Sequence, residues 1–360
     1  TTGTIVINLG HPVLPHGSRE AWLTLRAVRR GATALLPEGT EVAADQFSWP
    51  VEEVAAGGRM NRSAVSALLQ VKQDKKHVLV SGDGFSMRFN AKDGQWESLK
   101  YDDREMLLKG LQPNFWRPLT DNDVANGTLV RCGTWKHAGE HALLKSLTVE
   151  KTDSCVVLTE YFDLAEQQSR LTLRYTIQGD GSVHVGFHFL PGNKTLPEMP
   201  RLGMRLLMPG QYDTMTWLGR GPQENYADRK SGAFIGRYTA SVWSQYHPYP
   251  RAQETANKCD VRWVTLTDKD GHGIMVYGDA PLSVSAWNFP MEDIEYVPAM
   301  VRNVHGGSIV KKDMVWLNID HRQMGVGGDN TWGAQVHTPY TITPHEWRYG
   351  FTIKNIRHEK

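Results

Sequence analysis

An alternation of apolar and polar residues runs through much of this chain and limits most strongly the folds that it can adopt. The clearest case spans residues 171–189, where apolar side chains occupy every second position on both sides of the turn Gly179-Asp180-Gly181. A period of two places these side chains on one face of a strand, so the segment predicts a β-hairpin. Similar alternation occurs at residues 85–89, 202–206 and 347–353.

The order of these segments predicts an all-β fold built from antiparallel strands. Turn signals such as Asp93-Gly94 and Asp270-Gly271 fall between apolar runs, and the spacing typical of strand–helix–strand units is absent from the sequence. One short helix is expected, around residues 129–144. Parallel α/β folds are therefore disfavoured.

Length and a charged run predict two domains. A chain of 360 residues is long for a single domain, and a run of charged and polar residues at 72–77 separates two strand-rich regions. Residues 1–74 have the size of a small, immunoglobulin-like β-sandwich. Residues 75–360 require a large closed or two-layer antiparallel arrangement.

Charge and hydropathy exclude several classes of partner. The 40 basic and 39 acidic residues give a formal net charge of +1, which offers no electrostatic attraction to nucleic acid or to an anionic membrane. A mean hydropathy of -0.44 and the lack of a long apolar run argue against a membrane-spanning helix. The chain does not begin with Met, which suggests a fragment or a processed chain, so the compartment, cytoplasmic or periplasmic, stays open.

Two stretches combine tryptophan with small polar residues. Residues 217–229 contain a glycine-proline break followed by Gln223, Glu224 and Asn225, which is the composition of an ordered polar loop. Residues 316–332 begin as an alternating strand and end in the glycine turn Gly327-Gly328-Asp329-Asn330-Thr331-Trp332. An indole beside carboxylate and amide groups is typical of a sugar site, because the ring packs on C–H groups while the polar groups bind hydroxyls.

These two stretches, together with Phe115-Trp116-Arg117-Pro118-Leu119-Thr120-Asp121-Asn122-Asp123, resemble the C-terminal region of the large β-galactosidases of glycoside hydrolase family 2. The resemblance covers nearly the whole chain and is most specific from about Val78 onward. It implies an immunoglobulin-like domain at 1–74 and a β-supersandwich of the galactose-mutarotase type at 75–360. It also places both catalytic glutamates in a preceding TIM barrel, outside this chain, so no catalytic residue is expected here.

Trp332 is the residue that the resemblance singles out. In the family, a tryptophan in the matching glycine-rich segment reaches the barrel's active site and stacks on the substrate. The alternative is a core tryptophan, although a tryptophan at the end of a glycine-rich turn is expected to be more exposed than one in a strand. Asp329 and Asn330 are candidate sugar ligands, but side-chain to backbone bonds within the turn are the favoured interpretation.

Glu224 and Asn225 are the candidates in the first polar stretch. Glu224 and Asp228 could form the carboxylate pair of a glycosidase. The favoured alternative is that Asp228 pairs with Arg229 or caps backbone amides while Glu224 braces the loop. Asn225 fits a sugar contact and loop bracing equally well.

No metal or cofactor is expected within this chain. Asp121-Asn122-Asp123 could bind a hard cation, but an Asx turn before the helix near Leu129 is the favoured interpretation. His247, His305 and His321 lie near the polar stretches without metal-ligand spacing. The resemblance leaves Mg²⁺ or Na⁺ to the missing domain of the parent enzyme.

The sequence and the resemblance together leave two possible functions for the chain. The first is the non-catalytic C-terminal part of a β-galactosidase, which completes the active site with an aromatic residue and supports assembly of a homo-oligomer. Its partners would be the remainder of the parent polypeptide and a β-galactoside or galactose, with no nucleic acid and no membrane. The alternative is an independent carbohydrate-binding or aldose-epimerase-like domain, which needs a histidine and a carboxylate in one concave groove.

Overall fold

The structure is a computed structural model that describes residues 3–10, 13–14, 18–51, 69–192, 195–298, 303–330 and 332–356. Within these residues the chain consists mainly of antiparallel β-strands with two short α-helices. It divides into two compact units, Thr1–Ser63 and Ala64–Lys360. The all-β prediction is confirmed.

The first unit contains one described hairpin. Strands β1 (Ala21–Val28) and β2 (Glu41–Trp49) are antiparallel, with Leu23 opposite Phe47 and a bulge between Ala27 and Val28. Residues 52–63 lie outside the described part of the chain. An immunoglobulin-like sandwich over residues 1–74 therefore stays a prediction.

The second unit begins with a five-stranded antiparallel meander. Its strands are β3 (Gln70–Gln73), β4 (His77–Gly82), β5 (Phe85–Asn90), β6 (Trp96–Tyr101) and β7 (Arg104–Glu105). The charged run at 72–77 belongs to the β3–β4 hairpin, where Asp74 Oδ1 accepts the backbone N–H groups of Lys76 and His77. The compact units divide between Ser63 and Ala64. The domain boundary expected at residue 74 stays a prediction.

A twelve-stranded antiparallel sheet forms the rest of the second unit. Its strands are β8 (Lys109–Asn114), β9 (Leu143–Lys151), β10 (Cys155–Leu164), β11 (Ser169–Gln178), β12 (Val183–Leu190), β13 (Arg201–Pro209), β14 (Thr214–Gly221), β15 (Phe234–Ser241), β16 (Lys258–Thr267), β17 (Gly273–Trp287), β18 (Met314–Gln323) and β19 (Trp347–Ile356). The main path runs β15-β14-β16-β17-β19-β12-β11-β10-β9. Three further pairings lie off this path: β18 pairs with β17 and with β13, and β13 also pairs with β8. The large antiparallel arrangement expected for this region is confirmed.

The predicted hairpin at 171–189 is present as β11 and β12. Leu171 lies opposite Phe189, and Tyr175 lies opposite Val185. The apolar positions of both strands are buried, while the positions between them face the other way. Burial of each large side chain of this kind contributes about 1.5–3 kcal/mol, which fixes the register because a slip by one residue would turn all of them outward.

Aromatic side chains join the two sheets of the second unit. Phe89 of β5 stacks on Trp96 of β6 at a ring-centroid distance of 5.3 Å, and both rings contact Tyr175 of β11. All three side chains are buried. Part of the core therefore lies between the meander and the large sheet, on one face of β11 and β12.

The helix predicted at 129–144 is wrong in its extent. The structure has α1 (Asp121–Ala125) and α2 (Thr128–Cys132), separated by Gly127 in the left-handed conformation at φ 74°. A 3₁₀ turn at Gly133–Trp135 follows, and β9 begins at Leu143. Tertiary packing overrides helix propensity here, because the turn buries Trp135 against Phe115 and Phe189.

Candidate functional site

Arg117 anchors the glycine segment, defined as residues 324–330. Its guanidinium is fully buried and donates to both carboxylate oxygens of Asp123, at 3.1 and 2.9 Å. The same group donates to the backbone carbonyl oxygens of Met324 and Gly325, the latter at 2.8 Å. Burial alone would lower the pKa of Arg117, but the Asp123 carboxylate outweighs it and raises that pKa. The arginine therefore stays charged and links α1 to the glycine segment.

A capping box holds the first turn of α1 in place. Thr120 Oγ1 accepts the backbone N–H of Asp123 at 3.1 Å, and Asp123 Oδ2 accepts that of Thr120 at 3.0 Å. Asp121, Asn122 and Asp123 thus form the first turn of a helix that begins earlier than the helix expected near Leu129. They cap and link neighbouring segments, which agrees with a structural rather than a cation-binding interpretation.

Asn122 and Asp228 hold the two sides of the glycine segment. Asn122 Nδ2 donates to the carbonyl oxygen of Val326 at 3.0 Å. Asp228 accepts the backbone N–H groups of Val326 and Gly327 at 3.1 and 2.7 Å. A Cβ on Gly325 would lie 2.6 Å from Asp228 Oδ2, so this close approach requires glycine. The three motifs of the sequence analysis therefore converge on one loop.

The tip of this loop presents an exposed indole. Asn330 Oδ1 accepts the backbone N–H groups of Trp332 and Ala334 at 2.9 and 3.3 Å, which is the turn-holding role expected for it. Asp329 Oδ1 lies 2.8 Å from Nε2 of the exposed His337. Trp332 is 87% exposed, the largest exposure of any tryptophan in the part of the chain that the structure describes. An apolar ring held at the surface on an anchored loop can act as a platform for a ligand.

Glu224 is tied into its own loop by four donors. Its Oε1 accepts from Arg229 Nη2 at 2.8 Å and from the Tyr249 hydroxyl. Its Oε2 accepts the Thr255 hydroxyl at 3.1 Å and the Ala256 backbone N–H at 2.8 Å. These contacts support loop bracing, with Arg229 paired to Glu224 rather than to Asp228.

Asn225 is buried beneath the same loop. Its Oδ1 accepts the backbone N–H of Cys259 at 2.7 Å, and its Nδ2 donates to the carbonyl oxygen of Gln223 at 3.0 Å. The amide therefore faces inward. Of the two interpretations that the sequence left open, loop bracing is the one that these contacts support.

A cavity of about 350 Å³ lies beside this loop and contains a buried lysine among its lining residues. Lys258 Nζ donates to the Ala256 carbonyl oxygen at 3.0 Å and lies 5.2 Å from the centroid of the Trp217 ring. Burial lowers the pKa of Lys258 to about 8, with Glu224 partly opposing the shift. The ring and the carbonyl take the place of water around the ammonium group.

Sequence reasoning missed a fully buried ionic cluster next to the glycine segment. Arg201 donates from Nη2 to Glu254 Oε1 and from Nη1 to Asn318 Oδ1, at 3.0 and 3.1 Å, and its Nε lies 3.3 Å from Asp320 Oδ2. Gln323, the residue before the segment, donates to Glu254 at 3.2 Å. No local pattern signals this cluster, because its members come from three distant parts of the chain.

The three singled-out histidines have separate environments. His247 contacts Tyr249 edge-on at 4.4 Å, and His305 Nδ1 accepts the backbone N–H of Gly307. His321 stacks on Tyr349 at 5.4 Å. Among the described ranges, no group of three or more His, Cys, Asp or Glu side chains is placed to hold a metal ion.

None of the helices in the described part of the chain is both long and apolar enough to span a bilayer.

Comparisons with known proteins place the chain among β-galactosidase sequences. Residues 81–353 match the family model described as the β-galactosidase small chain. A β-galactosidase of Priestia megaterium is 34% identical over 357 residues, which are 98% of this chain and 34% of that protein. A β-galactosidase of Lactobacillus delbrueckii subsp. bulgaricus is 33% identical over 75% of this chain and 26% of that protein. The chain thus spans about a third of the length of the curated relatives that it matches.

Among solved structures, the galactose 1-epimerase of Lactobacillus acidophilus NCFM has a TM-score of 0.45 and 11% identity, covering 81% of this chain and 99% of that chain.

Proposed function

Because this chain belongs to the β-galactosidase small-chain family, we propose that it is the non-catalytic C-terminal part of a β-galactosidase of glycoside hydrolase family 2. The parent enzyme would hydrolyse terminal β-galactosides with retention of configuration, which requires two carboxyl groups on either side of the scissile bond. Both would lie in the remainder of the polypeptide, in a preceding TIM barrel. This chain would complete the active site and support assembly of a homo-oligomer.

The observation that carries this proposal is the anchored, exposed indole of Trp332. Three side chains from two separate segments, Arg117, Asn122 and Asp228, hold the glycine segment, and the loop leaves the indole 87% exposed. A partner that covers an exposed indole gains free energy by removing its apolar surface from water. A galactose ring offers a matching partner, because one of its faces carries mainly C–H groups.

The neighbouring polar residues would act in two ways. Asp329 and Asn330 lie at the loop tip beside the indole, where they would orient it and reach substrate hydroxyls. Glu224 and Asn225 would contribute by holding the loop of residues 217–229, since their polar atoms bind groups within the chain. No cofactor would be needed here, and Mg²⁺ or Na⁺ would bind the missing domain.

The test is a pair of Trp332 substitutions in the complete enzyme. Trp332→Ala removes the platform and should raise KM about 10- to 100-fold, the equivalent of about 1.5–3 kcal/mol of lost contact, with a smaller effect on kcat. Trp332→Phe keeps an apolar ring and should recover part of the affinity. Steady-state kinetics with a nitrophenyl β-galactoside measures both constants.

Val310→Ala serves as the control, because Val310 is an exposed apolar residue outside the three converging motifs. It should leave both kinetic constants unchanged. If Trp332→Ala behaves like Val310→Ala, the indole does not contact the substrate and the proposal for this residue is wrong.

A further inference from the structure

A trough of about 520 Å³ crosses the face of β11, β12, β19 and β17 that points away from the core. Its floor consists of two glycines, Gly186 and Gly350, which are directly paired between β12 and β19. A Cβ on Gly186 would meet no atom closer than 3.8 Å. The floor is therefore open above Gly186, whereas the side chains of Asp279 and His184 lie over Gly350.

One end of the trough carries a guanidinium group. Arg174 lies on β11 directly opposite Gly186, and its side chain is exposed. Within the described ranges, the structure shows no ion pair or hydrogen bond for this side chain. Its planar array of N–H donors is thus free to bind a ligand at the edge of the glycine floor.

The other end carries a carboxylate held by a histidine. A Cβ on Gly350 would lie 2.2 Å from Asp279 Oδ2, so this carboxylate reaches over the glycine floor. His184 Nε2 lies 3.0 Å from the same oxygen. Asp279 can still accept hydrogen bonds through its remaining lone pairs.

The side of the trough is polar as well. His188 lies between Thr172 on β11 and Arg348 on β19 in the strand register, and its Nε2 is 3.0 Å from Glu346 Oε1. His321 also lines the trough, and burial, with Arg322, lowers its pKa to about 4. Its imidazole is therefore neutral at physiological pH and offers hydrogen bonds without charge.

We propose that this trough binds a carboxylate-bearing saccharide of the hexuronate class. The sugar carboxylate would pair with Arg174, and hydroxyl groups at the far end would donate to Asp279 and bond to the histidines. Arg348 also lines the trough, but it donates to Glu346 Oε1 from Nε and Nη2, at 2.8 and 2.6 Å. The Arg174 guanidinium is therefore the group that would bind the sugar carboxylate.

The dimensions of the trough favour a saccharide over a small inorganic anion. Arg174 and Asp279 stand three strand spacings apart, about 14 Å between their backbones, and the volume is within the usual range of small-molecule sites. Phosphate could pair with Arg174 but would leave the Asp279 end unused. This inference does not depend on the role proposed for Trp332, which lies outside the trough lining.

The first measurement is calorimetric titration of this chain with galacturonate, galactose and inorganic phosphate. We expect saturable binding of galacturonate, and galactose binding at least about tenfold weaker because it lacks the charge-assisted contact. Equal affinity for galactose would overturn the acidic preference. Phosphate binding as tight as galacturonate would overturn the saccharide assignment, and no galacturonate binding would overturn the proposal as a whole.

Matched variants locate the site. Arg174→Met should weaken galacturonate binding at least about tenfold, whereas Arg170→Met, on the same exposed face of β11 but outside the trough, should not. Gly186→Val fills the floor with a strand-compatible side chain and should abolish binding even if Arg174→Met fails to fold. Circular dichroism confirms the fold of each variant, and galacturonate binding that survives both trough substitutions would contradict the proposal.

Discussion

At the scale of single residues, the most unusual group is Asp320. It is completely buried, and its Oδ2 lies 3.3 Å from Nε of Arg201, which also donates to Glu254. Burial raises the pKa of Asp320 to about 8; Arg201 opposes this shift and Glu254 adds to it. Two carboxylates share one guanidinium in an interior without water, so ionising both would carry a large free-energy cost. Asp320 therefore holds its proton at neutral pH.

A neutral Asp320 predicts a specific pH dependence of stability. Its pKa is near 3.8 in the unfolded chain and about 8 in the folded one, so the folded state binds more protons across this window. The contribution of Asp320 to the free energy of unfolding should therefore fall as pH rises from about 4 to about 8. Asp320→Asn removes this titration, and its stability relative to the original chain should increase between pH 5 and pH 8 in urea unfolding experiments.

Asp270→Asn is the matched control for this prediction. Asp270 is exposed in the turn between β16 and β17, so its substitution should shift stability by the same small amount at both pH values. A stability difference for Asp320→Asn that is independent of pH would mean that Asp320 is ionised in the folded chain.

At the scale of elements, the glycine segment depends on groups far away in sequence. Arg117 binds the Gly325 carbonyl oxygen from 208 residues away, and Asp228 binds the Val326 amide from 98 residues away. The sequence predicts a turn at this position from its glycines and predicts an exposed tryptophan after it. It does not predict which side chains hold the turn, because local composition carries no information on such distant pairs.

Local periodicity was a better guide to strands than to helices. It predicts the β11–β12 hairpin because both strands bury one face along their whole length. The same reasoning fails at 129–144, where burial of Trp135 and the close approach of Gly139 to the Pro113 carbonyl oxygen decide the path. In a short segment, tertiary contacts outweigh the intrinsic helix propensity of the residues.

Asp228→Asn should loosen the glycine segment. An amide nitrogen placed toward the Val326 and Gly327 N–H groups would oppose one donor to another, and a lost bond of this kind costs about 1–3 kcal/mol. Hydrogen exchange of a peptide covering residues 324–330 should therefore speed up by about one to two orders of magnitude in mass spectrometry.

Asp329→Asn is the control within the same segment. Asp329 pairs only with the exposed His337 among the contacts that the structure gives for it, so exchange of this peptide should stay unchanged. Equal exchange rates in both variants would show that Asp228 does not hold the segment closed.

At the scale of the whole molecule, the chain spans about a third of the length of the curated relatives that it matches. The resemblance carried by three sequence motifs predicts the C-terminal region of a β-galactosidase, and the match to the β-galactosidase small-chain model confirms that coarser part of the prediction. Membership of glycoside hydrolase family 2 stays a proposal. The trough was beyond the reach of sequence reasoning, because it is built across β11, β12, β17 and β19, whose neighbours in space are set by the sheet order. Only the strand register shows that Gly186 and Gly350 form one floor.

Whether the isolated chain can hydrolyse a glycoside is also a question about the whole molecule. A retaining glycosidase needs two carboxyl groups about 5–5.5 Å apart, one of them able to give up a proton. In the described loops of the three motifs, Glu224 is occupied by four donors and Asp228 by two backbone amides. We therefore expect the purified chain to hydrolyse a nitrophenyl β-galactoside no faster than buffer does, while the complete enzyme, assayed in parallel, turns it over. Hydrolysis by the chain that disappears in Glu224→Gln would instead assign the chemistry to this loop and overturn the non-catalytic role.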